Sequence, residues 1–481
     1  MPRDASPNKV LGIVLAGYAA VFFPVAVLVV ALSDMARELH SDVGTLTWVL
    51  TGPMLAFGVI GPAVGKLGDR IGHRKVFLAS VFGSFVFSVL SALAWDALSL
   101  VGFRIIGASI GAATGPSSLA TINRMFAPEQ RVRAIGYWSV ISAGSPLLGI
   151  VAGGPIIDHF GWRSIFIITA PMCLLAWLFA VLNMPETETN RNQRFDIPGA
   201  AVLGFSLTLL LFGVNRGALW GWTHPVVLFG IAQAPFTLRA FVAIERRAAD
   251  PLIPLRYFRI RGFTVPMIAQ SFGMFGYQIG ALLSPLYLRN VLGHTTSEVS
   301  WLVAVRPLGF AVVGPMAMWF DRRFEERRTI VMGQVILSVS LAMFALASPN
   351  DAAVYILLVS MFLAGYGQGM SNPQVSASIA NSVDPHDLGV AAATMQLVGQ
   401  VFAVAAIQAG QTIQATVAES HGPLAGYRMA FSVAAVAALV GSTVALKVRN
   451  RSQMASVDAE RGAVGDAVSV GEATGHSSFV D

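Results

Sequence analysis

The side chains able to do chemistry are few and oddly placed. Arg104 stands inside the apolar stretch "ALSLVGFRIIGASIGAATG", whose nearest charged neighbours are Asp96 and Arg124. A guanidinium in such a run is costly and usually functional, attracting an anionic group or bonding to backbone carbonyls. Arg306, five residues after Trp301, is expected to snorkel from its run to a nearby surface. A third stretch, "AAATMQLVGQVFAVAAIQAGQTIQATV", carries Gln396, Gln400, Gln408, Gln411 and Gln414. At helical spacing these fall within an arc of about 120°, a face that hydrocarbon rejects and protein or water accepts. Such glutamines bond a substrate's polar groups without demanding charge, or bond neighbouring helices. Gln270, Tyr277, Gln278, Gln368 and Asn372 are further neutral candidates, and Tyr18, Phe22 and Met395 would add apolar contact. Together they suggest a roomy, amphipathic, mostly neutral pocket. None of the 26 acids lies near the middle of an apolar run; Asp34 and Asp158 sit near run ends.

Other chemistries find little support. Cys173 is the lone cysteine, so no internal disulfide is possible, and no Cys/His metal constellation occurs. "GPAVGKL" at Gly61–Leu67 lacks the spacing and the Ser/Thr of a phosphate-binding loop. "GYGQG" at Gly365–Gly369 lies inside an apolar run.

The elements that must position these groups follow from composition. Only 12% of the 481 residues are charged, 55% are hydrophobic, and the mean hydropathy is +0.65. Soluble domains carry about 25% charge. Runs of about 20 apolar residues span a bilayer core of about 30 Å as helices, since backbone polar groups in lipid must bond internally. Fourteen helices are expected, at about 11–33, 45–65, 75–95, 98–122, 132–157, 162–183, 198–216, 225–244, 262–287, 297–318, 329–347, 352–378, 388–415 and 425–446. The first is too long, and lacks the cleavage site, for a removed signal peptide. The net charge of +6 points to nucleic acid or a membrane surface, and its distribution favours the membrane.

With the N-terminus inside and alternating helices, 25 of the 32 Lys and Arg fall inside, five outside (Arg37, Arg163, Arg216, Arg289, Arg428) and two within helices. This positive-inside bias predicts a multi-pass protein with both termini cytoplasmic. The stretch "GKLGDRIGHRK", Gly65–Lys75, then reads as a short cytoplasmic loop between the second and third helices.

The chain also repeats itself. Trp48, Phe57 and Gly61-Pro62 match Trp301, Phe310 and Gly314-Pro315 at a separation of 253, Asp69-Arg70 matches Asp321-Arg322 at 252, and "GWRSIF" matches "GYRMAF" at 265. Helices 1–6 and 9–14 therefore read as two parallel copies with two helices inserted, an all-α integral membrane protein typical of transporters. The expected divisions are a cytoplasmic N-terminus (1–9), a six-helix bundle (10–184), the two-helix insertion with its flanking loops (185–250), a second bundle (251–446) and a disordered cytoplasmic tail (447–481).

At this point the sequence resembles the major facilitator superfamily, and within it the fourteen-helix drug/proton antiporter branch. The resemblance covers roughly residues 10–446. It is carried by Gly65-x-x-Gly68-Asp69-Arg70-x-Gly72-x-Arg74-Lys75, by "GWRSIFIITAP" from Gly161, and by "PLIPLRYFRIRGF" and "LLSPLYLRNVLG" around helix 9. It implies that Gly65, Asp69, Arg70, Gly72 and Arg74 form a conformational gate, with Asp69 near the start of helix 13 at Leu388 and its charge stabilised by that helix's dipole. Where the branch carries an aspartate in helix 1, this chain has Pro24; the proline of its helix 5 signature is replaced around Gly149; and the glutamine position in helix 4 is Gly107. Gly107, Gly111 and Gly115 form a small-residue stripe suited to close helix packing.

The resemblance implies a secondary transporter, not an enzyme, exporting small amphipathic molecules such as drugs from the cytoplasm through the cell membrane. It would work as a monomer, without cofactor or nucleic-acid partner, and draw energy from the proton gradient. Proton coupling needs a titratable group on the path; Asp34 is the carboxylate to test first and Arg104 a modulator. A transporter of a lipid or hydrophobic metabolite without ordinary coupling, and a membrane sensor or scaffold on the same fold, are the other readings. The gate motif speaks against the scaffold.

Overall fold

A computed structural model describes residues 6–126, 128–186, 197–248, 255–347, 353–383 and 388–448. Among these residues every regular element is helical. They are α1 Pro7–Glu38, α2 Trp48–Ile71 with a leading turn Val43–Leu46, α3 His73–Ala92, α4 Ala97–Met125, α5 Pro128–Phe160, α6 Arg163–Asn183, α7 Ile197–Trp220 and α8 Pro225–Glu245. Then follow α9 Arg261–Asn290, α10 Thr296–Val303 continued by Val305–Arg323, α11 Glu326–Leu346, α12 Ala353–Ala380, α13 Leu388–His421 and α14 Pro423–Ala445. Among the described residues, eleven helices are long and apolar enough to cross a membrane; α2, α7 and α9 fall outside that count.

Four of the helices are interrupted just ahead of a proline. α1 breaks at Phe23 before Pro24, α4 at Ala112–Ala113 before Pro116, α8 at Gln233 before Pro235, and α10 at Ala304 before Pro307. Proline lacks the N–H that would close the preceding turn, and its ring crowds the carbonyl four residues back. Pro171, Pro266 and Pro373 sit inside helices that continue through them, as neighbouring helices in a bundle permit.

The segment Gly65–Lys75 is not a loop. α2 runs to Ile71 and α3 starts at His73, with Gly72 alone between them at φ +101°. Apolar windows detect only the part of a helix that sits in hydrocarbon, and polar residues extend the hydrogen-bonded ladder beyond it. The same effect carries α1 to Glu38 and α13 to His421. Gly72 occupies a backbone region that side chains disfavour. At Gly68 a β-carbon would lie 2.4 Å from the His73 ring nitrogen, so the two helix ends close on a glycine.

Packing repeats along the chain. α2 lies on α4, and α3 and α1 lie on α6; likewise α10 lies on α12, and α11 and α9 lie on α14. The two sets meet where α2 packs on α13 and α5 on α10, while α7 pairs with α8 and lies against α13 and α2. The matched motifs diverge in detail. Gly161 is left-handed (φ +74°) ahead of α6, but the left-handed glycine ahead of α14 is Gly422 (φ +88°), and Gly426 lies within the helix.

The cores are arranged unequally. At the end of the molecule distal to the chain termini one continuous apolar core joins both sets, running through Leu32, Leu46, Trp162, Leu286, Phe344 and Phe431. At the terminal end the described residues form separate cores, one around Val14, Phe77 and Cys173, the other around Phe263, Ile330 and Val375. A further cluster seats α7 and α8 on α2 and α13 through Leu203, Leu207, Phe241 and Leu397. Large apolar side chains such as Trp95, Phe160, Ile167 and Leu178 point outward, as lipid contact requires.

Candidate functional site

At the distal end the two sets are tied by charge. The Asp34 carboxylate, near the end of α1, accepts from Arg289 of α9 and from Thr296 Oγ1 of α10 at 3.1 Å, and also from Arg37. Arg289 donates to Thr296 Oγ1 as well, closing a triangle. Beside it, Asp158 of α5 accepts from the Ser297 backbone N–H at 2.5 Å, and Ser33 donates to Asn290 at 3.3 Å. Gly154 makes the α5–α10 approach possible: a β-carbon there would fall 2.2 Å from Ser300 Oγ. Asp34 was the carboxylate singled out for coupling; its geometry is that of a partner in an inter-bundle latch, half-buried between two arginines.

A buried polar chain lies alongside. Trp48 Nε1 donates to Asn215 Oδ1 at 3.2 Å, Asn215 Nδ2 to Gln408 Oε1 at 2.7 Å, and Gln408 Nε2 to Thr51 Oγ1 at 2.9 Å. Asn215 of α7 thus bridges α2 and α13. Gln408 serves interhelical bonding, the plainer of its two sequence readings. Trp301, the repeat partner of Trp48, is 58% exposed against 6%; α7 packs on α2 and supplies the bond partner of Trp48.

The candidate pocket residues form two groups. In the first, Tyr18 stacks on Phe22 with centroids 4.2 Å apart, Trp138 of α5 meets Tyr18 edge-on at 5.2 Å, and Phe57 of α2 lies 5.3 Å from Phe22. The Trp138 indole N–H is buried without an acceptor among the described residues. Phe57 and Trp138 are additions to the sequence reading; Phe57 was visible only as a repeat marker. In the second group, Gln396 is exposed and Gln400 half-buried. The amide oxygens of Gln270, Gln368 and Gln400 are buried without donors among the described residues, and Gln368 Nε2 meets Met274 Sδ at 3.8 Å. Met395 receives the Ser376 hydroxyl at 3.9 Å. Tyr277 lies under Arg306, while Gln278 and Asn372 are half-buried. No described contact joins the two groups. Gln334 of α11 was missed: it is fully buried, and a β-carbon on Gly273 would strike its amide at 2.2 Å.

The two arginines inside helices differ sharply. Arg306 does not snorkel; it is 6% exposed and donates from Nη2 to Gly280 O at 2.9 Å and Ser284 Oγ at 2.8 Å, with the Tyr277 ring 5.4 Å away. The break before Pro307 and the small residues of α9 let it turn inward. Arg104 makes no hydrogen bond or ion pair among the described residues, and its Nε is buried. Its one close partner is the Phe166 ring, 5.6 Å from the guanidinium carbon. The glycine stripe of α4 packs as expected, Gly107 against Phe87 and Gly111 against Ser84 and Val21.

The residues expected to form a gate are described in part. Gly65, Asp69 and Arg70 belong to the last turns of α2, and Arg70 is exposed. The Asp69 side chain lies outside the described residues. Arg74 pairs with Glu186 and donates to Val181 O at 3.0 Å, both beyond or late in α6 of its own set.

Two sets of helices that repeat their packing and share one apolar core at the distal end make a membrane transporter fold. The chain belongs to the Major Facilitator Superfamily, whose family model matches residues 14–284 and 266–477. It is 31% identical to the tetracenomycin C resistance and export protein of Streptomyces glaucescens over 70% of this chain, spanning 62% of that relative's length. It is 30% identical to the puromycin resistance protein of Streptomyces alboniger, over 81% of this chain and 78% of that one. These relatives fit the drug/proton antiporter branch. Among solved structures it resembles a peptide transporter crystallised with sulfate, with a TM-score of 0.70 at 13% identity, covering 92% of this chain and 94% of the other.

Proposed function

We propose that the protein is a secondary active exporter of small amphipathic molecules that works by alternating access between two six-helix bundles, α1–α6 and α9–α14. In this reading it is a monomer, all fourteen helices cross the cell membrane, α7 and α8 are the insertion, and both termini are cytoplasmic. The carrying observation is that, among the described residues, one apolar core at the distal end is shared by both sets while the cores around Val14 and Phe263 are separate. With the distal end outside, this supports a transporter closed to the exterior. The aromatic group of Tyr18, Phe22, Phe57 and Trp138 would face the amides of Gln270, Gln368, Gln396 and Gln400 between the two bundles. Rings offer apolar area and amides offer uncharged bonding, a combination that suits amphipathic solutes. Asp69 with Gly65, Arg70, Gly72 and Arg74 would form the cytoplasmic gate, and the Asp34–Arg289–Thr296 triangle the outer one.

The relatives' names support drugs or toxic compounds as the substrate class. No cofactor is needed, and the proton gradient is the proposed energy source. Asp34 is then the coupling carboxylate: protonating it would release Arg289 and open the outer latch. The absence of acids from helix middles favours a second reading, uncoupled movement of a lipid or hydrophobic metabolite.

The test is dye efflux from a pump-deficient bacterial host expressing the protein, with and without a protonophore. Efflux that depends on the protein, collapses with the gradient and is lost in Asp69→Asn supports coupled export. Efflux that persists after confirmed collapse supports the second reading. Absence of movement of dyes, lipids and metabolites alike would overturn both and favour a sensor or scaffold.

A further inference from the structure

The inserted helix α8 has two faces of opposite chemistry. Ala234, Thr237, Phe241 and Glu245 recur every three or four residues and turn into the protein. Ala234, Phe241 and Glu245 are buried, and Thr237 donates to Ser206 Oγ of α7 at 2.6 Å. On the same side Gln233 Nε2 donates to Ser206 O at 3.1 Å. At 100° per residue the opposite side carries Pro235, Arg239, Ala243 and Arg246, and all four are exposed. The outward stripe of α6 shows the contrast, since Ile167, Leu175, Leu178 and Leu182 keep it apolar.

Arg239 stands six residues before the end of α8, about 9 Å along its axis. It belongs to a segment long and apolar enough to cross a membrane. An outward guanidinium at that depth is costly in lipid and calls for an anionic partner. Protein does not supply one: among the described residues Arg239, Arg246 and Arg247 make no hydrogen bond or ion pair, and Glu245, the one acid of α8, is buried. The three arginines line one groove of about 550 Å³ together with Pro235, Leu238 and Ala243. Arg239 and Arg246 are two turns apart, about 10 Å along the axis and about 20° apart in direction. Ala243 lies between them and offers only a methyl group, which leaves that space to a ligand. The groove is therefore cationic toward the end of the helix and apolar, at Pro235 and Leu238, toward its middle. A phospholipid presents the same order, with phosphate at the surface and hydrocarbon within, and guanidinium matches phosphate oxygens in pairs. We propose that this face of α8 binds an anionic phospholipid, its phosphate held between Arg239 and Arg246 with Arg247 beside it, and its acyl chain along Pro235 and Leu238.

The inference rests on α8 lying in the membrane, as proposed above, and not on transport, so it is read without a transported dye. The test is thermal unfolding of the purified full chain in detergent with added phosphatidylglycerol or, at the same mole fraction, phosphatidylcholine. Phosphatidylglycerol should raise the Tm by several degrees more, increasingly with its fraction as linkage requires. The difference should vanish in the triple variant Arg239→Gln, Arg246→Gln, Arg247→Gln. It should persist when the same charge is removed at the exposed Arg259, Arg261 and Lys447. Equal shifts with the two lipids, or an equal loss in both triple variants, would overturn the inference. So would inorganic phosphate that reproduces the shift, which would make this a site for free anions, or a dimer that the α8 variant dissociates without regard to lipid. If the α8 variant does not fold, a fluorophore at Ala240→Cys in a Cys173→Ala background keeps the inference testable. In mixed vesicles brominated phosphatidylglycerol should quench it more than brominated phosphatidylcholine at equal fraction, and equal quenching would overturn the site.

Discussion

Single residues carry the clearest tests. Gly72 joins α2 to α3 alone, at φ +101°. Gly72→Ala should cost about 1–3 kcal/mol of stability, seen as a lower Tm in detergent; an unchanged Tm would mean the junction tolerates a side chain. Asp34 accepts from two side chains of the opposite set. Asp34→Ala leaves Arg289 without its carboxylate, and with the pair partly exposed a cost of about 1 kcal/mol is expected. Its larger effect should be on transport, since the outer latch would no longer hold; normal efflux at normal protein level would count against the latch. Trp138→Ala removes one side of the aromatic group and should change which dyes are exported more than how much protein accumulates. Arg104 and the glutamines were conspicuous in the sequence because polar groups in apolar runs stand out. The partners of Gln408 and Asp34 were not, because Asn215 lies 193 residues from Gln408 and Arg289 lies 255 from Asp34.

At the scale of elements, hydropathy marked the eleven helices of membrane length among the described residues, because lipid imposes the same requirement on each. It misjudged helix ends, since polar residues of α2 continue the ladder to Ile71 after the apolar signal stops. That is why Gly65–Lys75 reads as a loop in sequence and is two abutting helix ends in the fold. The duplication was legible from Trp48 and Trp301, but their different burial was not, because it depends on where the insertion lies. Trp48→Ala should therefore destabilise by about 3–5 kcal/mol, while Trp301→Ala should be close to neutral; equal effects would contradict the seating of α7 on α2. The Asn215–Gln408 bond ties that inserted helix to α13. A double-mutant cycle between Asn215→Ala and Gln408→Ala should give a coupling of about 0.5–2 kcal/mol, and none if the pair is separate in the membrane.

For the whole molecule, the distribution of cores sets the account. Among the described residues, the halves share apolar packing, an ion triangle and a polar chain toward the distal end, and have separate cores toward the termini. Sequence periodicity carries no information about such a state, because the same apolar faces serve whichever end is closed. Alternating access requires that the distal contacts break while the terminal ones form. The most direct measurement is the distance between spin labels at exposed distal positions of the two halves, Phe160→Cys and Glu419→Cys, in a Cys173→Ala background. One short distance is expected in the resting protein, and a second, longer population in Asp34→Ala or when an exported dye is added. A single unchanged distance in protein that demonstrably transports the dye would contradict alternating access.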